Sequence, residues 1–137
     1  MYTGGCFCGA VRYEAGGPAL HCTWCHCSMC RRLCGAPGVA WFSVPLAQFR
    51  YVRGQPAVFH SSPGVRRELC GLCGTQLSFA DERTPWEMDV TTCSLDDPEA
   101  LPPQDHTFAD YRLHWEHIGD ELPRYRRTRG DGLLERA

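Results

Sequence analysis

Apolar positions in this chain come in short bursts, cut apart by glycines and prolines spread along the sequence. The runs Ala10–Glu14, Val39–Ser43, Phe49–Val52, Val58–His60, Arg66–Leu69, Gln76–Phe79 and Glu87–Thr92 are rich in aromatic and β-branched residues and are bounded by Gly, Pro, Ser or Asp. They predict short strands, and a last strand is expected around Arg112–His117. No window carries a sustained apolar stripe at the 3.6-residue period of a helix. Brief helical turns are expected at Pro45–Phe49 and after Asp97-Pro98, where Asp caps and Pro takes the first helical position. The fold class that follows is mostly β.

Glycines and prolines are scattered throughout, and no linker or internal repeat divides the chain, so 137 residues predict one domain. That domain is expected over residues 1–125, with 126–137 as a basic C-terminal tail. The segment Leu95–Phe108 reads as a long, proline-stiffened loop. Arg124–Ala137 holds five arginines among polar residues and reads as a solvated terminus that frays.

Charge and composition remove several function classes. A formal net charge of −2 does not suggest a nucleic-acid partner. All 14 basic residues are arginine, which excludes lysine Schiff-base chemistry and a phosphate-loop lysine. The first residues lack a basic start followed by an apolar run, and no stretch approaches a membrane span, so a cytoplasmic protein without membrane contact is expected.

The candidate chemistry lies in the cysteines. Eight of the ten fall in four clusters: Cys6-Phe-Cys8, Cys22-x-x-Cys25, Cys27-x-x-Cys30 and Cys70-Gly-Leu-Cys73. Gaps this short disfavour disulfides between the paired residues but allow thiolates to converge on one ion, and a reducing compartment favours zinc. Two partitions are open. Cys22, Cys25, Cys27 and Cys30 can close one local site while Cys6, Cys8, Cys70 and Cys73 form another. Alternatively, the long-range site forms in the same way, and Cys25, Cys27 and Cys30 make a three-thiolate site open to water, substrate or a mobile neighbour. A saturated site is structural; an open one can bind and activate a ligand. Three thiolates on zinc leave a negative centre, better suited to exchanging a soft thiolate than to making hydroxide from water.

Further stretches carry a family pattern: Gly4-Gly5-Cys6-Phe7-Cys8-Gly9-Ala10-Val11-Arg12-Tyr13; Cys25-His26-Cys27-Ser28-Met29-Cys30-Arg31-Arg32 leading into Gly35-Ala36-Pro37; Arg67-x-x-Cys70-x-x-Cys73-Gly74-Thr75-x-Leu77; Leu95-Asp96-Asp97-Pro98; and later His106, Trp115 and Leu122-Pro123-x-Tyr125. From about Gly4 to Tyr125 the chain resembles the glutathione-dependent formaldehyde-activating family, which shares its domain with centromere protein V. The resemblance implies a β-tent type fold around two zinc ions. It implies a structural zinc on Cys6, Cys8, Cys70 and Cys73, and a catalytic zinc on Cys25, Cys27 and Cys30. It also implies the joining of glutathione and formaldehyde into S-hydroxymethylglutathione, a carbon–sulfur lyase reaction.

Several residues have two readings. Cys22 and Cys34 flank the triplet and either could close it, and Cys93 is a further departure from the pattern. His26, between two ligands on an extended loop, is expected to point away from the metal. Arg31 and Arg32 follow Cys30 and are the candidates for meeting an anionic thiol. Arg67 could hydrogen-bond the metal-bound sulfurs, meet a substrate carboxylate or form an ion pair. Asp96 and Asp97 fit a turn better than acid–base work. Trp24, Trp41 and Phe42 can wall a pocket or fill the core. His106 can order its loop or contact substrate. The rival functions are a zinc-stabilised interaction module with both sites closed, and a zinc–thiolate redox sensor using Cys22 or Cys34.

Overall fold

Alternation along the strands sorts the residues onto two faces, and that sorting builds the molecule. The computed structural model describes residues 1–134. Its strands are β1 (Tyr2–Gly5), β2 (Arg12–Ala15), β3 (Leu20–Cys25), β4 (Val39–Pro45), β5 (Phe49–Arg53), β6 (Ala57–Ser62), β7 (Val65–Leu69), β8 (Gln76–Asp81), β9 (Glu87–Thr91) and β10 (Asp105–Thr107). One helix, α1 (Ser28–Cys34), follows β3. The strands form a three-stranded sheet ordered β1-β2-β5 and a seven-stranded sheet ordered β10-β3-β4-β9-β8-β7-β6. The pairs are antiparallel except β10 with β3. The chain is therefore mostly β, with short 3-10 turns at Leu46–Gln48 and Pro98–Ala100 where helical turns were expected.

The main core lies between the sheets. Phe42 and Val44 from β4, Met88 and Val90 from β9, and Cys22 from β3 pack against Tyr13 and Ala15 of the smaller sheet. Tyr13, Phe42, Val44 and Val90 are wholly buried, which is where most of the hydrophobic stabilisation arises. Residues alternating with these, Trp41 and Ser43 on β4 and Glu87 and Asp89 on β9, take the other face of the larger sheet.

Five features depart from these expectations. β1, β3 and β10 were not anticipated, because they are glycine-rich, broken by Cys and His, or only three residues long. Helix α1 spans only seven residues, too few for a periodic stripe. It is set by its ends: the Cys27 sulfur accepts from the Cys30 N–H, and Gly35 at φ 60° closes it in the left-handed conformation. The strand expected at Arg112–His117 does not form; those residues make a loop with one turn, and no strand is paired to them.

The basic segment after Arg124 folds back on the domain. Backbone bonds join His106 to Pro123 and Tyr125, and Phe108 to Arg127, while the Arg129 guanidinium bonds Asp105 at 2.7 Å. Residues 135–137, the end of the expected fraying tail, lie outside the described residues. Among the described residues no helix is long and apolar enough to cross a membrane.

Candidate metal centre and active-site cavity

The two groups of sulfurs form at different kinds of place. Cys6 and Cys8 lie on the loop between β1 and β2, and Cys70 and Cys73 on the loop between β7 and β8, so one loop from each sheet contributes a pair. The loops are linked by the Phe7 N–H donating to the Thr75 hydroxyl at 3.0 Å. Backbone N–H groups aim at the sulfurs: Val11 at Cys6 (3.2 Å), and Leu72 and Cys73 at Cys70 (3.4 Å each). Such bonds favour ionised sulfur. Hydrogen bonding to Thr75 brings the Cys73 thiol down to about 5.

Distances decide what these sulfurs can do. The Cys6–Cys8 separation is 3.6 Å and Cys8–Cys70 is 3.7 Å. A disulfide needs about 2.05 Å, whereas the edge of a thiolate tetrahedron with metal–sulfur bonds of about 2.3 Å is about 3.8 Å. The four sulfurs thus fit a tetrahedral ion.

Cys25 ends β3, Cys27 caps α1, and Cys30 lies in the first turn of that helix. Their sulfur atoms lie within 4.8 Å of one another, with Cys25 and Cys30 at 3.9 Å. Three thiols this close cannot all ionise without a cation. Cys27 is pushed down to about 2 by hydrogen bonds from Cys25 and then Cys30, and Cys25 is pushed up by the same contact with Cys27. A divalent ion would replace the shared protons.

No fourth sulfur joins this group among the described residues. Cys22 packs in the core between the sheets, since β3 alternation gives it the opposite face from Thr23 and Cys25. Cys34 packs beside the triplet without entering the cluster, its thiol pushed up to about 11 by burial. Neither residue closes the site. Both partitions contained the long-range group, and the second matches the geometry of the triplet.

Cys25, Cys27 and Cys30 all line a cavity of about 540 Å³. Its floor is the non-core face of the larger sheet, carrying Thr23, Trp41, Ser43, Phe79 and Asp89. Arg67, on β7, lines it too and directs its two terminal nitrogens at the Cys30 sulfur, at 3.8 and 3.9 Å. Across the floor the Ser43 hydroxyl donates to Asp89 at 2.5 Å, and burial raises that carboxyl to about 6.

The model of the family described as glutathione-dependent formaldehyde-activating enzyme matches residues 1–111. The chain belongs to this family. A Halomonas elongata protein, provisionally named a glutathione-dependent formaldehyde-activating enzyme, is 28% identical over 128 residues, covering 86% of this chain and 81% of that protein. An uncharacterised lyase of Schizosaccharomyces pombe is 36% identical over 81 residues, which is 58% of this chain and 57% of that one. A crystal structure of a Rhodobacter sphaeroides protein superposes with a TM-score of 0.62 at 26% identity, covering 77% of this chain and 99% of the other.

Within this family member the remaining candidates divide clearly. Arg31 and Arg32 do not line the cavity: helical rotation turns both away from Cys30, and Arg31 donates to the Tyr111 carbonyl. Trp41 lines the cavity, while Phe42 belongs to the core. Asp96 pairs with Arg12, and Asp97 precedes the turn at Pro98.

His26 points away from the triplet, as expected, but it is wholly buried. Its Nε2 meets His106 Nδ1 at 2.9 Å, and His106 Nε2 meets both Asp120 oxygens at 3.0 Å. With Asp120 accepting from His106, His106 Nδ1 accepts from His26, which fixes both tautomers. Burial pushes His26 down to about 4, so it is neutral. Asp120 lies in a segment whose sequence gives no local signal for this network; Glu116, in the same segment, lies 3.5 Å from His26 Nδ1 without a hydrogen bond between them.

Proposed function

We propose that this chain is a cytoplasmic, zinc-dependent enzyme of the carbon–sulfur lyase class, of the β-tent type, that joins a small thiol such as glutathione to formaldehyde. The observation carrying the proposal is the three-sulfur cluster formed by cysteines that line a cavity, with Cys22 in the core and Cys34 outside the cluster. The names of the family and of its Halomonas elongata relative support glutathione and formaldehyde as the substrate pair.

Cys6, Cys8, Cys70 and Cys73 would hold a structural zinc, and Cys25, Cys27 and Cys30 a catalytic one. A divalent ion at the triplet supplies positive charge that keeps an incoming thiol ionised at neutral pH. The chain does the rest. The Cys25–Cys30 cluster fixes where the substrate sulfur arrives, and Trp41 and Phe79 give that region apolar walls that exclude water. The sulfur lone pair attacks the aldehyde carbon, the carbonyl π electrons move to oxygen, and the oxygen takes a proton to give the S-hydroxymethyl product. The reverse path expels the thiolate, so no oxidant, reductant or covalent side-chain nucleophile is needed. The rival interaction module needs a closed second site, and the placement of Cys22 and Cys34 does not favour it.

The test combines metal content with turnover. The purified protein should bind two zinc ions and accelerate formation of S-hydroxymethylglutathione, followed by NMR. Cys27→Ser should lose the acceleration and one zinc while staying folded. Full turnover with both zinc ions retained in Cys27→Ser would sink the mechanism.

A further inference from the structure

Arg67 poses a problem that the cysteine ligands do not answer. Its residue surface is only 4% exposed, yet it forms no ion pair with a carboxylate among the described residues. A buried guanidinium without a counter-charge is strongly destabilising. The other two arginines at the cavity are already committed, Arg83 to Asp81 and Arg129 to Asp105, each at 2.7 Å. Arg67 is held differently. Its Nε donates to the Ser61 hydroxyl at 3.0 Å, its plane lies over the Phe79 ring at 4.9 Å, and both terminal nitrogens face the Cys30 sulfur. Its counter-charge is therefore the sulfur cluster.

Charge arithmetic gives that pairing a purpose. Three thiolates around a divalent ion leave one surplus negative charge, which Arg67 cancels. An incoming thiolate then restores a single negative charge; without Arg67 it would create two in a partly desolvated cavity. The rest of the wall does not help an anion, since Glu87 and Asp89 are acids and His21 already faces Glu87 at 3.7 Å.

We propose that Arg67 is the specificity-determining cation of the cavity: it lets the three-cysteine site accept a thiolate, and it selects anionic sulfur ligands over neutral ones. This deepens the function proposed above and rests on its assignment of a metal to the triplet. Arg67 acts through charge and through the forked donors it presents beside Cys30; it takes no part in breaking or making bonds.

The experiment uses the intact protein with cobalt in place of zinc. Glutathione is titrated against imidazole, with no aldehyde present, and the cobalt absorption bands report each ligand. Arg67→Met should weaken glutathione binding by about 30-fold or more, as expected for losing one partner of a desolvated charge pair. Imidazole binding should change by less than about threefold, and Arg67→Lys should recover much of the thiolate affinity by restoring charge without the fork. Equal losses for both ligands, or none for either, would overturn the proposal. If Arg67→Met fails to hold cobalt, Ser61→Ala carries the test by freeing Arg67 Nε while keeping the charge. Glutathione affinity should fall there with imidazole unchanged, and unchanged affinity for both ligands overturns the proposal. Arg67-dependent thiolate binding without formaldehyde turnover would refute the proposed reaction and leave this inference standing; turnover with Arg67-independent binding would do the reverse.

Discussion

At the scale of single residues, burial and charge separate groups that look alike in the sequence. Asp96, after β9, and Asp89, in the middle of it, are both aspartates, yet Asp96 is lowered to about 2 by hydrogen bonding from Arg12, while burial raises Asp89 to about 6. Asp89 therefore makes a testable stability prediction. In the unfolded chain it titrates near 3.8, so between there and 6 the folded state holds a proton that the unfolded state has lost. Its contribution to stability falls as pH rises through that window, and the cost is fully present at pH 7. Asp89→Asn, whose amide oxygen can still accept from Ser43, should stabilise the protein by about 1–2 kcal/mol at pH 7, after allowance for partial exposure. The gain should vanish near pH 4. Urea denaturation at the two pH values measures it, and a gain independent of pH would contradict the assignment. Arg67 was legible as a cation that could reach the metal-bound sulfurs, a substrate carboxylate or an acid, but the choice among them, Cys30, depends on neighbours that only the fold supplies.

At the scale of elements, the segments best read from sequence were those rich in aromatic and β-branched residues, such as β4 and β9, whose alternate positions face the core and the cavity floor. Those that escaped owe their form to partners. β10 is three residues long and exists because it pairs with β3 at Asp105–Thr23 through Thr107–Cys25, while His106 is bracketed by Pro123 and Tyr125. This pairing places the His26–His106–Asp120 chain directly behind the Cys25–Cys27 segment. His106→Ala would strand the His26 N–H and leave Asp120 with only the Leu122 N–H, at an expected cost of about 2–4 kcal/mol. The same change should weaken metal retention at the triplet more than at the four-cysteine site. Thermal melts and a chelator competition measure the two effects. Equal retention at both sites would show that the network does not position the triplet.

At the scale of the whole molecule, the two cysteine groups differ in what they join. Cys8 and Cys70 are 62 positions apart and tie the smaller sheet to the larger, whereas Cys25 and Cys30 are five apart within one local segment. A crosslink closing a loop of about sixty residues restricts the unfolded chain by roughly 2 kcal/mol more than one closing about five, by loop-closure entropy. In the metal-loaded protein, Cys6→Ser should therefore lower Tm by about 5–10 °C more than Cys25→Ser, whereas activity should be more sensitive to Cys25→Ser. Calorimetry of both variants tests this, and the reverse order of Tm would contradict it. The sequence by itself determined the mostly β class, the strands rich in β-branched and aromatic residues and the local pairs of thiols, because composition and short spacing are local, and it left open which pairs share an ion. Tertiary structure alone decided that Cys22 turns into the core, that α1 forms between a sulfur cap and Gly35, and that Arg67 faces Cys30 from across the sheet. Each of these depends on which face a strand presents and what lies beyond it, which is set only when distant segments pack.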